Sequence, residues 1–196
     1  ELRLLRHAGN FFVNLLNLEV IKMKNEERKK LFKRAVLAGA FAAAGVVLSV
    51  VSIPMGPTKC FPFQHTINVL AGIILGPWWA VGAAFTTSVI RNLMGTGSLF
   101  AFPGSMFGAL FVGLAAKALP ERYKVCAACA EPVGTGIVGA WVGAKVLGPI
   151  LGKGIGFLFF SGSFLMSSVP GAVIGALLVY CLQKRMVLTR TFGAMI

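Results

Sequence analysis

The chain has 196 residues, of which 57% are hydrophobic and 13% charged, with a mean hydropathy of +0.81. Soluble domains average roughly 45–50% apolar and about 25% charged residues, so this balance excludes an ordinary soluble fold. At about 20 apolar residues per crossing, the length allows one compact bundle of six spans. The apolar runs are continuous and filled with Gly and Ala rather than alternating, which favours helices over a barrel. The expected fold is therefore all-α: a six-transmembrane-helix bundle with both termini cytoplasmic.

The net charge of +13 invites a nucleic-acid reading, but its distribution argues otherwise. Of 19 Lys and Arg, 9 fall in residues 1–34, 3 in 117–124 and 3 in 184–190. Clusters at alternate crossings are what the positive-inside rule produces. There is no Asp, and of six Glu only Glu131 lies inside an apolar run.

In chain order, residues 1–30 form a basic N-terminal segment. Met23 opens the string MKNEERKKLFKRAVLAG and reads as the natural start, with 1–22 outside the native coding sequence or lying at the interface. The membrane domain is expected over 31–183 and a basic cytoplasmic tail over 184–196. The first span, about 33–53, is rich in small residues. Small side chains four apart let another helix approach closely in lipid. Residues 54–65 are a Pro-rich outer connection. Spans follow at about 66–76, 79–94, 105–119, 125–147 and 157–182. The second is short unless it starts within the preceding loop.

Polar residues concentrate between 60 and 106. Gln64, His65 and Asn68 share one helix face if the helix starts before them. Arg91, Asn92, Thr96 and Ser98 follow at the end of the third span. Together these amides, the imidazole and the hydroxyls suit a small neutral heterocycle; the competing reading is a hydrated helix cap. Arg91 and Glu131 each need a partner, since an unpaired charge costs roughly 2.5–3.5 kcal/mol on insertion scales. They pair with each other, or Glu131 meets ligand with Thr135 four residues on, or Arg91 snorkels to the interface. Phe61, Phe63, Phe100 and Phe102 flank the loops as candidate stacking surfaces.

Enzyme chemistry is poorly provided for. GPILGKG at 148–154 lacks the first Gly spacing and the Ser/Thr of a phosphate loop, so the chain should not hydrolyse ATP itself. Ser105 or Ser161 with His65 has no accompanying nucleophile motif. Cys126-x-x-Cys129 lacks a second pair or a neighbouring His, and reads as small apolar helix residues. No cofactor or metal is expected.

The strings QH-x-x-N-V-x-A-G at 64–72, LGP at 75–77, RN-x-x-GTG at 91–97, AFPGSM at 101–106 and E-x-x-GTG at 131–136 resemble the ThiW family over about residues 30–183. That resemblance implies an S component, the substrate-binding membrane subunit of an energy-coupling factor transporter in the plasma membrane. It implies capture of the thiazole precursor of thiamine, hydroxyethylthiazole, from outside. It further implies a transmembrane coupling subunit and two cytoplasmic ATPases as partners, with the S component toppling in the bilayer to deliver its ligand. Substrate binding would fall to Gln64, His65, Asn68, Arg91, Asn92, Thr96, Glu131 and Thr135. The small-residue contact with the coupling subunit would fall first to Ala38 and Ala42, with the Ala40/Ala44 and Gly39 registers open. The alternative is a stand-alone secondary transporter using Glu131 as proton carrier.

Overall fold

The computed structural model describes residues 2–55, 58–152, 154 and 156–184, with side chains described at 24–53, 60–152, 154 and 156–184. The expected tail, beyond Lys184, lies outside the described residues. The chain divides into two compact units, Glu1–Val36 and Leu37–Ile196. In the first unit the backbone is helical from Leu2, and Lys29 Nζ lies 2.8 Å from Glu26 Oε1 as an exposed i,i+3 pair. Helix α1 is Leu2–Leu48, and the elements that follow it lie in the second unit.

Two short antiparallel strands, β1 (Ile53–Met55) and β2 (Thr58–Cys60), pair Ile53 with Cys60, so the Pro-rich connection is a hairpin. It closes on Cys60, which is 3% exposed. Helix α2 (Pro62–Leu75) starts four residues before the expected span, because Pro62 has its ring pre-set for the first helical turn and no N–H to leave unbonded. That start places Gln64 and His65 inside the helix.

A single residue, Gly76, separates α2 from α3 (Pro77–Leu93). Its φ of 83° and ψ of 176° lie in a region open essentially to glycine alone. Helix α4 spans Ala101–Ala118. Helix α5, Glu121–Ile150, is a composite rod that opens as a 3-10 helix and carries π-helical stretches at Gly134–Gly139 and Gly143–Leu147. Pro132 lies just ahead of the first π stretch, where its missing N–H already interrupts the regular ladder. Helix α6, Phe157–Lys184, contains Pro170.

Among the described residues, four helices are long and apolar enough to cross a membrane: Lys24–Leu48, α4, α5 and α6. Helix α2 is apolar but has 14 residues, and α3 has 17. At 1.5 Å per residue they reach about 21 and 26 Å.

The core of the second unit is made of small residues at helix crossings, among them Ala71, Ala80, Ala109, Ala116 and Ala128, wedged by Val69, Val112 and Val179. Ala38 and Ala42 belong to it, at 8% and 3% exposure, and the Thr87 hydroxyl donates to the Ala42 carbonyl at 3.2 Å. The two alanines expected at the coupling-subunit contact thus face their own bundle. Gly39, Ala40 and Ala43 lie on the exposed side of α1 instead.

Candidate functional site: a polar wall at one end of the bundle

The ends of α1 and α3, the starts of α2, α4 and α6, and the middle of α5 converge on a cavity of about 840 Å3. Its lining includes Gln64, His65, Arg91, Thr96 and Thr135 together with Ser105, Ser163, Ser167 and the rings of Phe61, Phe100, Phe160 and Phe164. Asn68 and Glu131 stand immediately behind this wall.

Glu131 is fully buried, at 0% exposure. Its Oε1 receives His65 Nδ1 at 2.6 Å, the Thr135 hydroxyl at 2.8 Å and, more loosely, Asn68 Nδ2 at 3.5 Å. The Thr135 hydroxyl also faces the Gly104 carbonyl at 2.9 Å, so its one proton serves two acceptors. Its i+4 spacing from Glu131 is what brings this hydroxyl onto the carboxyl. Space for the carboxyl comes from Gly108 on α4, where a Cβ would fall onto Glu131 Oε1 and Thr135 Oγ1. Glu131 Oε2 is buried with no hydrogen-bond partner among the described residues.

His65 lines the cavity, and when its Nδ1 carries the proton given to Glu131, Nε2 is left for other partners. In the neutral ring that nitrogen is an acceptor. His65 is seated by Gly171 of α6, where a Cβ would meet the Pro62 carbonyl and the His65 Cβ.

Arg91 is 2% exposed although it ends a helix, so it does not snorkel. Nor does it pair with Glu131. Its Nη1 donates to Gln64 Oε1, its Nη2 to the Thr96 carbonyl at 3.2 Å, and its guanidinium lies 4.1 Å from the centre of the Phe61 ring. Its Nε has no partner among the described residues. Hydrogen bonds to a charged group contribute about 1.5–3 kcal/mol each, and a desolvated cation–π contact up to about 2 kcal/mol. Such terms offset the insertion cost of the charge without neutralising it.

A directional relay joins the two ionisable ends. Arg91 donates to Gln64 Oε1, Gln64 Nε2 to Ser105 Oγ at 2.9 Å, Ser105 Oγ to Asn68 Oδ1 at 3.2 Å, and Asn68 Nδ2 towards Glu131. Each donor points from cation towards carboxylate, an order in which successive bonds polarise one another. Ser105 is the link that residue-type reasoning left out of the binding set, though it stands in the AFPGSM string. The α6 wall was missed too. Phe160, Phe164 and Ser167 recur at i, i+4 and i+7, a one-face helical spacing that marks them as neighbours.

Asn92 does not line the cavity; its amide donates to the Ser88 and Ser98 carbonyls at 2.8 and 3.2 Å and braces the loop after α3. The Thr96 side chain donates to the Arg91 carbonyl at 3.3 Å, and its own carbonyl faces the guanidinium. Phe102 pairs with Phe85 at 5.6 Å rather than lining the cavity, and Phe63 stands outside the lining as well. The thiols of Cys126 and Cys129 are both exposed.

An apolar helical bundle holding a polar, aromatic-walled cavity fits a membrane protein that handles a small ligand. The chain belongs to the ThiW family: the model of that family, described as thiamine-precursor transporter protein, matches residues 35–185. The family is one of transporters, not of enzymes, and membership implies a role in vitamin uptake. No curated protein matches the chain in sequence.

Proposed function

We propose that the chain is the substrate-capturing S component of an energy-coupling factor importer in the plasma membrane. In this reading it forms a six-helix bundle over about 31–183 with both termini cytoplasmic, and binds the thiazole half of thiamine, with hydroxyethylthiazole as the parent compound. A transmembrane coupling subunit and two cytoplasmic ATPases supply the energy that the chain, without a phosphate loop, cannot supply. Family membership supports a thiamine-precursor transporter. The observation that carries the ligand reading is the cavity itself, a hollow of small-molecule size that combines aromatic walls with a few fixed polar groups.

Phe160 and Phe164 would flank the ring, while His65 Nε2 would accept from the ligand hydroxyl. Gln64, Arg91 and Thr96 would contact the ligand directly. Asn68, Glu131 and Thr135 would hold His65, and Asn92 would brace the loop. Equilibrium binding of hydroxyethylthiazole to the purified chain tests this. Saturable binding that weakens about tenfold or more in Glu131→Gln or Asn68→Ala is expected, and no saturable binding to the wild-type chain would sink it.

The second reading, a proton-coupled secondary transporter, is favoured by the unpartnered Oε2 of Glu131 and the adjacent imidazole. Uptake in cells lacking coupling and ATPase subunits separates the two. Uptake that collapses there supports the S component; accumulation that persists and follows the pH gradient supports the alternative.

A further inference from the structure

We infer that the cavity selects an anionic form of its ligand, with a carboxylate or phosphate on the thiazole side arm meeting Arg91. This rests on the thiazole reading above and specifies its side arm. The argument is one of charge, not of hydrogen-bond count.

Arg91 is buried in the cavity wall, and its partners among the described residues are neutral: the Gln64 amide, the Thr96 carbonyl and the Phe61 ring. Neutral acceptors satisfy N–H groups but leave the positive charge uncompensated. No carboxylate pairs with it among the described residues, and the cavity lining contains neither Asp nor Glu. Glu131 stands behind His65, its Oε1 already occupied by His65, Thr135 and Asn68. From Arg91 it is reached only through three neutral side chains, Gln64, Ser105 and Asn68.

The guanidinium has five N–H groups, and the buried Nε has no partner among the described residues. Elsewhere the lining carries the hydroxyls of Ser98 and Ser163, donors of the kind an oxyanion accepts from. A cation, neutral donors and aromatic rings, with no opposing carboxylate, match an aromatic heterocycle that brings its own negative charge. A neutral alcohol fills the same hollow and leaves Arg91 uncompensated.

The experiment is a side-by-side titration of the full-length purified chain with three probes: hydroxyethylthiazole, its phosphate ester, and a methylthiazole carrying a carboxymethyl arm. The expected result is that one or both anions bind roughly tenfold or more tighter than the alcohol. Which anion does so identifies phosphate or carboxylate as the source of the charge. In Arg91→Gln the ratio of anion to alcohol affinity should fall towards one, whereas Arg91→Lys should retain part of it. If the alcohol binds as tightly as both anions, the inference fails while the thiazole reading stands. If none of the three binds, both fail. The wild-type ratio decides the matter even if Arg91→Gln does not fold.

Discussion

Single side chains set the site's tolerances. Ser105 is both acceptor from Gln64 and donor to Asn68. Ser105→Ala should therefore strand two buried amide groups at once and lower stability by about 1–3 kcal/mol. Thermal unfolding in detergent measures that loss, and ligand titration should show weaker binding alongside it. Gly108→Ala drives a methyl onto the Glu131 carboxyl and the Thr135 hydroxyl, both held by other bonds. Overpacking of this kind costs about 1–3 kcal/mol, so the variant should melt earlier and bind less. Residue types made the polar set legible in advance, because a Gln, two Asn, an Arg and a Glu are conspicuous among apolar neighbours. Which of them meet was not legible. Arg91 and Glu131 are separated by the same relay that joins them, and only tertiary packing decides that Glu131 takes His65 instead. Asn92 beside Arg91 looks identical in kind, yet the α3 C-terminus turns its amide onto the backbone.

At the scale of elements, long apolar runs located the helices, and Pro and Gly located their junctions. The sharpest junction is Gly76, whose backbone conformation, not its space, excludes other residues: a Cβ there meets nothing within 4 Å. Gly76→Ala should cost about 1–3 kcal/mol through backbone strain alone. A lowered melting temperature with ligand contacts otherwise intact is the expected outcome, and an unchanged one would show that the α2–α3 turn relaxes. Two features of the elements had no sequence signal strong enough to read. The hairpin at 53–60 has three-residue strands, too short for alternation to register. Along the first π stretch of α5, Gly134 and Gly139 meet α4 and Gly136 meets α6, a close approach set by tertiary packing.

For the whole molecule, the side of α1 that faces out of the bundle carries Gly39, Ala40 and Ala43, with Val47 beyond them. The small-residue composition of this helix was plain in the sequence, but which side of it the bundle consumes depends on where α3 packs. If a coupling subunit docks on the exposed side, Gly39→Leu or Ala43→Leu should abolish uptake while the purified chain still binds ligand. Ala42→Leu should instead destabilise the chain itself, since Ala42 is buried in the core. Comparing uptake with equilibrium binding across these variants separates the two effects. The hairpin that closes on Cys60 has an experimental consequence of its own. Cys126, Cys129 and Cys181 are exposed, whereas Cys60 is sealed next to Phe61 on the cavity rim. Alkylation with a small maleimide, followed by mass spectrometry, should add three labels quickly and a fourth slowly. The rate of that fourth label is a built-in clock for how often the rim opens, and a seated ligand should slow it.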